Sequence, residues 1–175
     1  MTQTTFHIPT LETERLTLRA PGPQDVEPFA AFFATEASAP IGGPIDTAET
    51  WRMLAGIAGH WMLRGYGRWM VTWKGQDTAI GLVGLHHPED WPEAEVGWSV
   101  WGDGLGKGVA QEAARAARTN AYETHGLDRL ISSCAPDNPR SALVAERLGA
   151  VRDGEWTHSE YGPFNIWRHP SEAQT

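Results

Sequence analysis

The sequence predicts one mixed α/β domain in which an antiparallel meander joins a parallel strand pair and helices flank the sheet. Three observations predict it. Apolar and polar residues alternate with period 2 in short runs at Thr13 to Arg19, Arg68 to Lys74, Thr78 to His86 and Glu95 to Val100, the mark of half-buried strands. Helical periodicity takes over elsewhere, most clearly where Val109, Ala113, Ala117 and Ala121 form one stripe and Gln111, Glu112, Arg115 and Arg118 lie off it. Finally, the chain runs from strand through glycine loop and helix to a further strand at Leu127 to Cys134, and such a crossover implies a parallel pair. With 175 residues and 41% hydrophobic content, residues 1–175 suffice for one domain with its own core.

Taken in order, the first strand ends at Pro21-Gly22-Pro23. Pro23 suits the first turn of a helix through Val26, Phe29, Ala30 and Phe33, because its missing N–H would have no intrahelical partner there. Asp46, three residues before Glu49, makes an N-terminal capping pair for a second helix through Trp51, Leu54, Ile57 and Ala58, which stops near Gly65. The loop between them carries Pro40, Gly42, Gly43 and Pro44 and forms a rim. The strands Arg68 to Lys74 and Thr78 to His86 make a hairpin around Gly75-Gln76-Asp77. His87 to Glu93 then leads into the strand at Glu95, and the main helix closes at Gly126.

The segment Trp101-Gly102-Asp103-Gly104-Leu105-Gly106-Lys107-Gly108 joins that strand to the main helix. A glycine loop feeding a helix N-terminus presents unpaired backbone N–H groups and the positive end of the helix dipole, which suits phosphate or pyrophosphate. Glycine needed only for a tight left-handed turn is the alternative. Two nucleotide motifs fail on inspection. The Walker register ending in Gly106-Lys107 has Trp101 at its first position and Gly108 in place of the metal-binding hydroxyl, and the dinucleotide registers starting at Gly102, Gly104 and Gly106 end in Lys107, Val109 and Gln111.

A second informative stretch is Asp137-Asn138-Pro139-Arg140-Ser141, continuing to Arg147-Leu148-Gly149. Asn138 is a good N-cap, Pro139 a good first helical residue and Gly149 a good terminator, so capping alone explains all three.

Together these residues resemble the GNAT superfamily of acyl-CoA-dependent N-acyltransferases. Its pyrophosphate loop reads Arg/Gln-Gly-x-Gly-x-Gly/Ala, and Leu105-Gly106-Lys107-Gly108-Val109-Ala110 corresponds to it, with Leu105 in place of the usual Arg or Gln. Glu95-Val96-Gly97-Trp98 is similar to the strand that enters this loop in the ribosomal-protein N-terminal (alanine) acetyltransferase subgroup. Asn138-x-x-Ser141 followed by Arg147-Leu148-Gly149 resembles the family's second signature, and Glu14-Arg15-Leu16-x-Leu18-Arg19 its opening. The resemblance implies a mixed, mostly antiparallel sheet whose central strands, the ones at Glu95 and Leu127, splay apart. Acetyl-CoA is the implied cosubstrate, with backbone groups of Ser99, Val100 and Trp101 pairing with pantetheine and Asn138 near it. The implied chemistry is direct attack of an amine on the thioester. Glu95 is the first candidate for general base, Glu160 beside Tyr161 the second, and Ser141 the candidate acid that protonates the leaving sulfur. Each has an ordinary structural alternative: a hydrogen-bonded strand residue, a turn residue and a first-turn hydroxyl.

Composition bounds the rest. A net charge of -8 argues against nucleic-acid binding, so a site for an anionic cofactor must concentrate positive potential locally, at the helix N-terminus with Lys107 and with Arg140 or Arg147. Met1 to Thr10 has neither a basic nor an apolar run, and no segment approaches the roughly 20 apolar residues of a membrane span. A soluble, cytoplasmic protein is expected. The single cysteine, Cys134, reads as a buried structural thiol. His86 and His87 suggest a metal, but adjacent strand residues point to opposite faces, so none is expected. Of the nine tryptophans, Trp91, Trp101 and Trp156 flank the proposed site and suit an aromatic acceptor pocket. The expected activity is acetyl transfer to a primary amine, on a protein N-terminus or a small molecule, by a monomer or homodimer. The alternative is a non-catalytic acyl-CoA-binding module.

Overall fold

The computed structural model describes residues 6–171; half of the segment Met1 to Thr10 and the end of the tail lie outside the described residues. An eight-stranded sheet runs in the order β1-β2-β3-β4-β5-β6-β8-β7. Its strands are β1 (Leu11–Glu12), β2 (Leu16–Arg19), β3 (Arg68–Trp73), β4 (Gly81–His86), β5 (Glu95–Val100), β6 (Ile131–Cys134), β7 (Val151–His158) and β8 (Gly162–Arg168). Every adjacent pair is antiparallel except β5 and β6. The helices are α1 (Val26–Phe33), α2 (Thr47–Arg64), α3 (Val109–Glu123) and α4 (Pro139–Arg147).

Strand alternation sorts the core into two layers. Leu16, Leu18, Trp69, Val71, Val83 and Val96 pack against Val109, Ala113, Ala117 and Ala121 of α3. The small alanine stripe lets this helix lie close on the sheet. On the other face Met70, Leu82 and Trp101 pack against Phe29 and Phe33 of α1 and Leu54 and Ile57 of α2. Asp46 caps α2 by accepting the Glu49 N–H at 2.8 Å, and Gly65 ends it at φ 78°, both where the local sequence places them.

Three boundaries differ from expectation, each for a pairing reason. The first strand is only Leu16–Arg19, because the Thr13 N–H turns back to Leu16 O at 3.0 Å and sets the short β1 antiparallel to β2. The fourth begins at Gly81 because Ile80 and Gly81 together face the single residue Val71, whose carbonyl accepts the Ile80 N–H at 2.8 Å. That is a bulge. The sixth begins at Ile131 because the Leu127 N–H closes α3 at Ala121 O (3.1 Å), and only Ile131 reaches Ala94 O (3.1 Å).

The first turn of α3 is fastened to the start of β2. Glu112 accepts from Thr13 Oγ1 at 2.5 Å, from the Arg15 N–H at 3.0 Å and from Arg15 Nε at 2.7 Å. Against its burial, the hydrogen bonds from Thr13 and Arg15 pull the Glu112 carboxyl below the usual range. Replacing Glu112 with Ala removes three charge-assisted contacts, and urea unfolding is expected to show a loss of about 1–3 kcal/mol. Equal midpoints for parent and variant would mean that the latch contributes nothing.

Candidate functional site

The parallel pair parts almost as soon as it forms. Glu95 opposite Ile131 is its single register pair. One step further, Ser132 Oγ rather than a backbone N–H donates to Val96 O at 2.6 Å, while accepting from His169 Nε2 at 2.9 Å. Burial, with Arg118 alongside, pushes the His169 imidazole down to about 3, so it stays neutral and can serve this network. Beyond Val96, β5 is partly exposed although it lies mid-sheet.

Which backbone groups line the gap follows from strand geometry. The Trp101 N–H donates to Ile80 O at 2.9 Å, on the β4 side. Successive residues alternate the side to which N–H and C=O point, so Ser99 also faces β4, opposite Leu82, whereas Trp98 and Val100 face the gap. This corrects the expectation that Ser99, Val100 and Trp101 all present backbone to a bound arm. Trp101 is committed further, since its indole N–H donates to Ala79 O at 3.0 Å and its ring stacks on Phe32 at 4.8 Å. It belongs to the α1 layer, not to an acceptor pocket with Trp91 and Trp156.

At the far end of the gap the chain turns into α3. Gly106 and Gly108 have φ of 73° and 79°, the left-handed region where glycine carries no Cβ penalty, and Gly108 is the N-cap of α3 without a side-chain cap. Among the described residues, the N–H groups of Gly106, Lys107, Gly108, Val109 and Ala110 have no acceptor. A Cβ on Gly106 would meet open space, and one on Gly108 would lie 3.5 Å from Arg15 Nη2. Unpaired N–H groups, the helix dipole and a nearby guanidinium thus coincide. Arg15 had no signal in the loop sequence, because a turn more than ninety residues away delivers it. Lys107 pairs with Asp103, which offsets part of its expected positive potential. Leu105 is exposed and brings no polar group.

The second signature forms α4 as its caps require. Asn138 Oδ1 accepts the Ser141 N–H at 3.1 Å. Ser141 Oγ accepts the Cys134 thiol at 3.4 Å, and burial pushes that thiol up to about 11, so it remains a donor. Arg140 and Arg147 are exposed, and the Arg147 carbonyl accepts from Gln111 Nε2 at 3.3 Å, joining α3 to α4.

Glu95 lies on the sheet face opposite α3 and is 9% exposed. Trp91 Nε1 donates to its carboxylate at 2.5 Å. Burial pushes its carboxyl above the usual range, against the opposing pull of Trp91 and the Arg68 charge. Around it, Trp91 packs on Trp156 at 4.9 Å, on His86 at 5.0 Å and on His158 at 5.5 Å, and Trp156 stacks on Phe164 at 5.8 Å. Burial and Arg68 push His86 down to about 2, so it is neutral. His158 Nδ1 accepts the N–H groups of Glu160 and Tyr161 at 3.0 and 3.2 Å, which leaves Nε2–H to donate to Asp90 at 3.1 Å. This buried imidazole shapes the β7–β8 turn and stacks Tyr161 on itself at 4.6 Å. Glu160 is exposed on that turn, and so is Tyr161 beside it. His87 donates its backbone N–H to His60 Nε2 at 3.0 Å and its ring meets the Tyr66 hydroxyl at 3.2 Å, while His86 stacks on the His60 ring at 5.7 Å.

Residues 15–151 match the family described as Acetyltransferase (GNAT) domain. The chain belongs to the GNAT acetyltransferases. Among relatives of this GNAT acetyltransferase, the Ribosomal-protein-serine acetyltransferase of Escherichia coli (strain K12) is 27% identical over 137 residues, covering 74% of this chain and 73% of that protein. The solved acetyltransferase from Agrobacterium tumefaciens str. C58 is 36% identical with a TM-score of 0.86, covering 97% of this chain and 98% of its own. RimL ribosomal L7/L12 alpha-N-protein acetyltransferase in complex with coenzyme A shares the fold at a TM-score of 0.76 and 20% identity, over 92% of this chain and 97% of its own. The mixed, mostly antiparallel sheet expected from the sequence is thus the family's fold. Among the described residues, no helix is long and apolar enough to cross a membrane and no three His, Cys, Asp or Glu side chains are grouped to hold a metal.

Proposed function

We propose that this acetyltransferase binds acetyl-CoA along the gap between β5 and β6 and passes the acetyl group to a primary amine held over Glu95. The observation that carries the reading is a buried carboxylate of raised basicity beside an open gap that ends at the unpaired N–H groups of α3. The pyrophosphate lies on Gly106 to Ala110 with Arg15 adjacent, and the pantetheine amides pair with Trp98 and Val100. The amine nitrogen attacks the thioester carbon and loses its proton to Glu95, directly or through water, while a backbone N–H at Val100 steadies the oxyanion. The C–S bond then breaks, and Ser141 protonates the thiolate, leaving an N-acetyl amine and CoA. Because Ser141 Oγ already accepts from Cys134, its own O–H is free to donate. Glu160 is a poorer base on this reading, since it is exposed. The relatives' names support a protein N-terminus as acceptor and the closed aromatic surroundings a small amine; the location is cytoplasmic.

A thiol-release assay with acetyl-CoA over a panel of amines and N-terminal peptides tests the reading. Turnover with any of them supports it. CoA binding by calorimetry without turnover on any acceptor would replace it with the non-catalytic module. The Ser141→Ala variant is expected to lower turnover by up to ~10²-fold while leaving CoA affinity within a few-fold. Unchanged turnover with the chemical step rate-limiting would return Ser141 to its place in the first turn of α4.

A further inference from the structure

Arg68 is the residue around Glu95 that the mechanism above does not use. Its side chain lies on the same sheet face as Glu95, because Arg68 pairs across β4 with Gly84 and Gly84 pairs with Gly97, two residues after Glu95. Gly84 and Gly97 leave their row of this face free of side chains, and His86, directly opposite Glu95, borders it. Neighbouring strands lie about 4.8 Å apart, which puts the two backbones roughly 10 Å apart with the side chains reaching toward each other. The Glu95 carboxylate already leans over Gly97, where an added Cβ would lie 3.1 Å from Oε1.

Arg68 nonetheless has a hydrogen-bond donor left idle. Its Nε is sealed from solvent without a partner, and among the described residues no carboxylate forms a salt bridge with its guanidinium. Elsewhere in this chain guanidinium groups find a carboxylate: Arg19, whose Nε is idle too, forks onto Asp25 at 2.7 Å, and Arg168 onto Glu93 at 2.7 and 2.8 Å. A half-buried guanidinium with a sealed, idle Nε is costly, and a planar carboxylate matches its fork.

We propose that Arg68 and Glu95 are the two poles of an acceptor site for an α-amino acid or close analogue, with the carboxylate on Arg68 and the reacting amine at Glu95. This deepens the acetyl-transfer reading and rests on it. A peptide N-terminus would place a neutral carbonyl at Arg68 and would have to carry its chain out past Tyr161. A free amino acid satisfies both charges on this face of the sheet, with its side chain against Trp91, Trp156 and Phe164.

The test uses the full chain, acetyl-CoA and matched acceptors: an α-amino acid, its amide, its methyl ester and the decarboxylated amine, across several side chains. Rates are compared per unprotonated amine. The free acid is expected to exceed its amide and ester by at least ~30-fold in kcat/KM, and Arg68→Met to collapse that ratio to within about threefold, with Arg68→Lys between. An amide, an ester or an N-terminal peptide as good as the free acid in the parent overturns the proposal while acetyl transfer stands. So does a ratio that survives in Arg68→Met. Failure of every amine while CoA still binds overturns the acetyl-transfer reading itself. The comparison on the parent decides the matter even if the variants do not fold.

Discussion

Glu95→Gln is expected to lower turnover by about 10²–10⁴-fold while acetyl-CoA still binds, because the amide keeps the size and the Trp91 contact of the carboxylate but cannot take a proton. The parent should show an acidic limb in its turnover profile above the ordinary carboxylate range, since burial raises the Glu95 carboxyl. That limb should vanish or move in the variant. The same shift makes a stability prediction of definite sign. A carboxyl whose folded pKa is raised favours the protonated folded state, so its ionisation destabilises the fold as pH rises through the unfolded and then the folded value. Glu95→Gln should therefore match the parent's thermal midpoint at acidic pH and exceed it increasingly toward neutral pH. A gain in stability at the expense of rate is what a functional carboxylate held in the interior would produce. A parental rate and limb in Glu95→Gln would falsify the base assignment, and transfer of the limb's loss to Glu160→Gln would move it to the turn.

Gly108→Val should weaken CoA binding by at least ~10²-fold. Two effects combine there. A β-branched residue at φ 79° is strained by about 1–2 kcal/mol, and its side chain would stand between the N–H groups of the loop and an approaching phosphate. Gly106→Ala carries the left-handed strain too, at φ 73°, but adds only a methyl group. Its Cβ meets no protein atom, so lost affinity in this variant, with thermal unfolding little changed, reports ligand rather than packing. Calorimetry with CoA and with dephosphorylated pantetheine distinguishes the pyrophosphate from the arm, since the arm alone should bind both parent and variant alike. Undiminished CoA affinity in both variants would remove the phosphate from this loop.

Much of the candidate site was legible because its determinants are local. Asn138 caps Ser141, Asp46 pairs with Glu49, and Gly106 and Gly108 take the left-handed turns into α3, each within a few residues of its partner. The alanine stripe of α3 reads directly as its buried face. Trp101 was misassigned for the opposite reason. Nothing near it in the chain says that its indole will stack on Phe32 and spend its N–H on Ala79. The alternation along β5 was visible, but which of Ser99, Val100 and Trp101 faces the gap depended on its register against β4, where Leu82 lies opposite Ser99.

By itself, then, the sequence determined the order of strands and helices from β2 to α4, the glycine loop, the two helix caps and, through them, the family. These depend on backbone preferences and hydrogen bonds between near neighbours, which any folded context preserves. The tertiary structure alone decided where β5 and β6 part, at the Ser132 hydroxyl on Val96 O, and that Arg15 arrives beside Gly108. It also decided that Arg68 shares a face with Glu95 across two glycines. Those juxtapositions join residues tens of positions apart, and register between strands, which one residue of slippage would invert, is fixed only when the whole sheet closes.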